Sequence, residues 1–84
     1  MKLYFRNSRN MMREIAVIDG DYHTHEEIYS AAMKEIIKFC NKNNPNFKIY
    51  YVRTWAEKID GVMMTVFDVG SHTEFFYADR IGNQ

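Results

Sequence analysis

The 84-residue chain is 46% apolar and 26% charged, a composition typical of one globular domain over residues 1–84 and not of a disordered segment. Eleven lysines and arginines balance eleven aspartates and glutamates, so the chain lacks the cation surplus of general nucleic-acid binders. The single cysteine permits no internal disulfide, no apolar run could span a bilayer and the N-terminus does not resemble a signal peptide, so we expect a cytoplasmic protein without a membrane partner.

The chain is predicted to begin with a β-hairpin. Residues 2–6 are short, aromatic and extended in character, and residues 14–19 contain β-branched side chains typical of a strand. The four residues 7–10, Asn-Ser-Arg-Asn, have the composition of a turn. Asp19-Gly20-Asp21 ends the second strand.

A helix is predicted to follow. Thr24 and Glu27 have the spacing of a capping box, in which each side chain accepts a hydrogen bond from the other residue's backbone N–H. Apolar residues then recur at helical spacing and predict one buried stripe. Its members are Ile28, Tyr29, Ala32, Met33, Ile36, Ile37, Phe39 and Cys40. Asn43-Asn44-Pro45 should end the helix.

Three further strands are predicted over residues 47–56, 62–69 and 74–78. Asp60-Gly61 is a hairpin signal between the first two strands, and residues 70–73 turn the chain into the third. Gly70 could instead mark a bulge within one longer strand. Residues 79–84 have the character of a frayed tail. The prediction is an α+β fold in the order ββαβββ, with an antiparallel sheet of four or five strands and one amphipathic helix packed on one face.

Both faces of the last three strands are apolar, although a half-buried sheet usually alternates apolar and polar residues. One helix can cover one face only. We therefore expect another cover over the second face: a second copy of the chain, another protein, or the N-terminal hairpin folded across. An uncovered apolar patch of that kind usually marks a contact surface.

Two segments carry residue types suited to chemistry, though neither has a complete catalytic set. Asp21, His23 and His25 are candidate metal ligands in a loop that otherwise caps the helix. Ser71, His72 and Glu74 follow Gly70 in a loop that could hold an anion, and His72 beside a carboxylate could act as a base. We predict no catalytic residue and no cofactor.

The candidate binding residues lie on the last three strands and their connections. Arg53 and Trp55 share a strand face, and these two residue types are enriched at binding hot spots. The full set is Tyr50, Arg53, Trp55, Ser71, His72, Glu74 and Phe76.

The segments Ile49-Tyr50-Tyr51-Val52-Arg53-Thr54-Trp55 and Thr65 to Phe76 resemble short accessory proteins encoded by phages and mobile elements of low-GC Gram-positive bacteria. The resemblance covers the C-terminal half of the chain and transfers no catalytic residue. It implies a protein that acts stoichiometrically, for example by occupying a host defence protein.

Three functional hypotheses follow. The first is a non-enzymatic, dimeric binding protein that grips a host protein through the second face of the sheet. The second is a small-ligand or nucleotide binder with residues 70–73 and Arg53 at its pocket. The third is a small nuclease that depends on a metal or on His23, His25 or His72.

Overall fold

The computed structural model describes residues 1–83 and contains the predicted series of elements. Two strands, β1 (Lys2–Arg6) and β2 (Met12–Val17), precede α1 (His25–Asn43). Three strands follow, namely β3 (Arg53–Ile59), β4 (Val62–Asp68) and β5 (Phe75–Ala78). The strands form one antiparallel sheet in the order β2-β1-β5-β4-β3. The predicted α+β fold is confirmed, with the hairpin inside the sheet instead of folded across it.

The predicted helix and its cap are confirmed. The Thr24 side chain accepts a hydrogen bond from the Glu27 N–H, and the Glu27 carboxylate accepts one from the Thr24 N–H. These bonds satisfy donors that a helix leaves unpaired in its first turn. The stripe is narrower than predicted, since Ile37 is exposed and Cys40 is half-buried. The buried helix residues are Ile28, Ala32, Met33 and Ile36.

The prediction for the third strand is wrong over its first half. β3 begins at Arg53, and residues 47–52 form no strand. The hairpin turn at Asp60 and Gly61, both at positive φ, sets the register of β3 against β4. Arg53 pairs with Asp68, the last residue of β4, so residues before Arg53 have no strand opposite them. Phe47, Ile49 and Val52 pack instead against the core under the helix.

Gly70 lies in a turn between two separate strands, so the alternative of one bulged strand is wrong. Its φ of 103° falls where a side chain would be strained. The turn directs β5 back between β4 and β1, and this placement joins the two halves of the sheet.

The second face of the sheet, opposite α1, has a buried centre of its own. Met64, Val66 and Tyr77 form a cluster there, and the last two are 0% and 1% exposed. The Arg6 guanidinium lies over the rings of Phe75 and Tyr77, at 5.1 and 5.3 Å from their centroids. The expectation of a bare second face is therefore wrong at its centre, where the chain's own side chains exclude water. Exposed apolar residues remain at the margins of the sheet.

The prediction of a frayed C-terminal tail is wrong for residues 79–83, while Gln84 lies outside the described residues. The Asn83 N–H donates to the His23 carbonyl at 2.7 Å, and the Thr65 hydroxyl donates to the Arg80 carbonyl at 2.6 Å. A Cβ on Gly82 would overlap backbone atoms of Thr24 and His25. The tail thus packs against the segment that opens α1.

Over residues 1–83, the structure contains no helix whose length and apolarity would let it cross a bilayer.

Candidate functional site

An ion pair lies at the C-terminal end of β4, where it meets β3. An Arg53 guanidinium nitrogen lies 2.7 Å from an Asp68 carboxylate oxygen, whose partner oxygen accepts the Gly70 N–H at 3.0 Å. The Asp68 side chain is 4% exposed, whereas that of Arg53 is 66% exposed. Burial by itself would raise the pKa of Asp68, but the hydrogen bonds from Gly70 and Arg53, with the nearby cations, outweigh it and lower this pKa. The buried carboxylate therefore anchors an exposed guanidinium.

Arg53 belongs to a line of three exposed residues that we call the β3 strip: Tyr51, Arg53 and Trp55. The Arg53 guanidinium lies 5.8 Å from the Tyr51 ring centroid. The Trp55 ring packs edge-on against Phe75, with centroids 6.1 Å apart, and is still 41% exposed. Both outer residues are therefore supported from one side and open to solvent on the other. Arg53 and Trp55 lie on an edge strand, since β3 is the last strand in the order of the sheet, and Tyr51 lies just before that strand.

The structure divides the seven predicted binding residues among several places. Arg53 and Trp55 lie together on the β3 strip, and Tyr50 lies just before it with 86% of its surface exposed. Phe76 faces the other way and is buried under α1 in contact with Phe39. Phe76 is thus not available on the second face.

Ser71 and Glu74 line a separate hollow with Phe76, which we call the helix-end cleft. This cleft has a volume of about 410 Å³ and lies beside the last turn of α1. Phe5, Phe39 and Phe47 supply its other aromatic walls, and Arg13 and Cys40 also line it. Ser71 is the residue of segment 70–73 that lines the cleft, and Arg53 does not line it, so the cleft is not the predicted pocket between residues 70–73 and Arg53.

The chemistry of the cleft does not favour a cysteine nucleophile. Burial raises the pKa of the Cys40 thiol, and the negative charge of Glu74 raises it further. Since the thiolate is the reactive form, Cys40 stays protonated and unreactive near neutral pH. The Ser71 hydroxyl donates to the Glu74 carboxylate at 3.4 Å, an arrangement without the histidine of a hydrolase triad.

The candidate metal ligands do not converge. Among residues 1–83, no three His, Cys, Asp or Glu side chains come close enough together to hold a metal ion. His23 and His25 are exposed, and His25 Nε2 lies 3.3 Å from the Thr54 hydroxyl. Instead, Thr24 in the loop before α1 caps this helix, and backbone carbonyls of the loop accept hydrogen bonds from Arg80 and Asn83.

His72 is exposed beside the Asp68 carboxylate, and its charge contributes to lowering the Asp68 pKa. That carboxylate already accepts hydrogen bonds from Arg53 and Gly70.

Several residues of the β3 strip and of the helix-end cleft were not among the binding residues predicted from the sequence. Tyr51 lies two residues before Arg53 and outside β3, and it joins the strip through its contact with the Arg53 guanidinium. Arg13 comes to the cleft only because β1 pairs with both β2 and β5. No local pattern reports the pairing of β1 with β5, which lie near opposite ends of the chain.

Comparisons of the chain with protein-family models, with curated proteins and with solved structures found no match.

Proposed function

We propose that the protein is a non-enzymatic binding protein that contacts another protein through the β3 strip. The observation that carries this proposal is the anchored Arg53 between two exposed aromatic side chains, Tyr51 and Trp55. Tryptophan, tyrosine and arginine are the residue types that dominate binding energy at protein interfaces. Because Asp68 already orders Arg53, binding would cost less side-chain entropy than it would for a mobile arginine.

The position of the strip on an edge strand favours a protein partner. Edge strands expose backbone N–H and C=O groups that can pair with a further strand. The strip would then supply side-chain contacts next to those backbone groups. We propose a second copy of the chain as one partner and a host protein as the other, the latter following from the resemblance to phage accessory proteins. An inhibitor of a host defence protein is the corresponding role.

The homodimer is tested by sedimentation equilibrium on the wild-type chain, Trp55→Ala and Val17→Ala. Val17 is an exposed apolar residue of β2, at the opposite edge of the sheet, and is the matched control. We expect Trp55→Ala to weaken dimerisation at least tenfold, about 1.4 kcal/mol, and Val17→Ala to leave it unchanged. A wild-type chain that stays monomeric at high concentration would overturn the homodimer.

The host protein is tested by affinity purification from a low-GC Gram-positive bacterium, with wild-type, Tyr51→Ala/Trp55→Ala and Val17→Ala baits. The proposal expects a partner that is retained by the wild type and the control, is lost by the double variant, and binds as a purified protein at fixed stoichiometry. Equal recovery by all three baits would contradict it. A monomer that also retains no such partner would overturn the proposed function as a whole.

A further inference from the structure

The helix-end cleft has a floor of packed aromatic rings drawn from distant parts of the chain. The Phe5 centroid lies 4.8 Å from that of Phe39 and 5.2 Å from that of Phe76. Phe39 and Phe76 meet edge to face at 5.7 Å. Such contacts hold rings in fixed orientations, so the floor is preformed. The cleft has a volume of about 410 Å³, within the range of small-molecule sites, which are mostly apolar with a few polar groups.

Two opposite charges line the same cleft. The Arg13 guanidinium lies over the Phe39 ring at 5.5 Å from its centroid, and Glu74 accepts a hydrogen bond from Ser71. Within residues 1–83, neither charge has an oppositely charged side chain within 4.0 Å, and the two do not pair with each other. A cation and an anion thus remain available around one aromatic floor.

We propose that the helix-end cleft binds a free α-amino acid with a large apolar side chain. The side chain lies on the phenylalanine floor, the carboxylate pairs with Arg13 and the ammonium group pairs with Glu74. Charge-assisted hydrogen bonds of this kind are about twice as strong as neutral ones. A ligand with only one of the two charges forms only one of these two charge-assisted contacts, which lowers its affinity.

The cleft is independent of the proposed protein contact. Its walls come from the side of the sheet that carries α1, whereas the β3 strip lies along an edge strand and shares no residue with the cleft. A result that contradicts protein binding at the β3 strip therefore leaves ligand binding in the cleft to be tested separately, and the reverse also holds.

The test is a titration of the full chain with L-phenylalanine and L-leucine, followed by amide NMR shifts. Phenethylamine and 3-phenylpropionate are matched ligands that each lack one charge. We expect saturable shifts confined to the cleft with L-phenylalanine, and at least tenfold weaker binding of each single-charge ligand.

The variants Arg13→Gln and Glu74→Gln assign the two charges. Arg13→Gln should abolish the preference for L-phenylalanine over phenethylamine, and Glu74→Gln should abolish the preference over 3-phenylpropionate. Arg9→Gln removes an exposed arginine of the β1–β2 turn and should change neither preference. Absence of saturable binding, equal binding of the single-charge ligands, or preferences unchanged in both variants would overturn the proposal.

Discussion

At the scale of single residues, Asp68 connects stability to the candidate contact surface. Its buried carboxylate orders the Gly70 turn on one side and the exposed Arg53 on the other. A buried carboxylate is stable only when hydrogen bonds and a counter-charge replace its lost hydration. Asp68, at the end of β4, therefore holds both the turn that leads to β5 and the Arg53 side chain of the β3 strip.

The lowered pKa of Asp68 predicts a specific dependence of stability on pH. The stabilisation is fully present above the unfolded-state pKa of about 3.9 and is lost as the pH falls through the lower folded-state pKa. Asp68→Asn removes the charge and should destabilise the fold by roughly 1–2 kcal/mol at pH 7, with a difference from the wild type that shrinks in acid. Urea unfolding between pH 2 and pH 7 measures this.

Asp21→Asn is the control for that series, since Asp21 is an exposed loop carboxylate. Its unfolding free energy should follow the wild type at every pH. Equal pH slopes for the wild type and Asp68→Asn would show that the ion pair does not stabilise the fold.

At the scale of elements, α1 depends on its N-terminal cap. Hydrogen bonds from the backbone N–H groups of Thr24 and His23, and from the Thr24 hydroxyl, lower the pKa of Glu27. The cap also fixes the loop against which the C-terminal segment packs. Loss of the cap should therefore affect more than the first helical turn.

We predict that Thr24→Ala lowers the free energy of unfolding by about 1 kcal/mol, because the Glu27 N–H loses its acceptor. Thr24→Ser keeps a hydroxyl and should retain most of the stability. Ser30→Ala removes a hydroxyl from the exposed face of α1 and should stabilise slightly, since alanine is the better helix former. Chemical denaturation of the three variants compares them. An equal loss in Thr24→Ala and Thr24→Ser would contradict the cap's contribution.

At the scale of the whole molecule, the sheet buries residues on both of its faces, with more of them on the face that α1 covers than on the second face. Side chains of the sheet itself cover the centre of the second face. Arg6 contributes to this cover because its guanidinium lies over the rings of Phe75 and Tyr77. Burial of the second face therefore does not require a partner at its centre.

Val66 and Val69 provide a matched test of this burial, since they lie in β4 and just after it and are buried on opposite faces. Alanine at either position should lower the free energy of unfolding by about 2 kcal/mol, from lost transfer energy and a residual cavity. The exposed control Val17→Ala should cost less than about 0.5 kcal/mol.

These costs should not change across a tenfold range of protein concentration. If Val66→Ala cost no more than Val17→Ala, the second face would not be buried within one chain. If the cost of Val66→Ala grew with protein concentration, association between chains would bury this face.

The amino-acid sequence alone determined what depends on neighbouring residues: the Thr24–Glu27 cap, the span of α1, the Asp60-Gly61 hairpin and the order of the elements. Hydrogen bonds and side-chain periodicity within a few residues carry that information. The tertiary structure alone decided where β3 begins, which residues meet in the cleft and how the second face is covered. The start of β3 is set by where β4 ends opposite it. The cleft and the cover of the second face follow from the insertion of β5 between β1 and β4, in which β5 pairs with a strand from the far end of the chain.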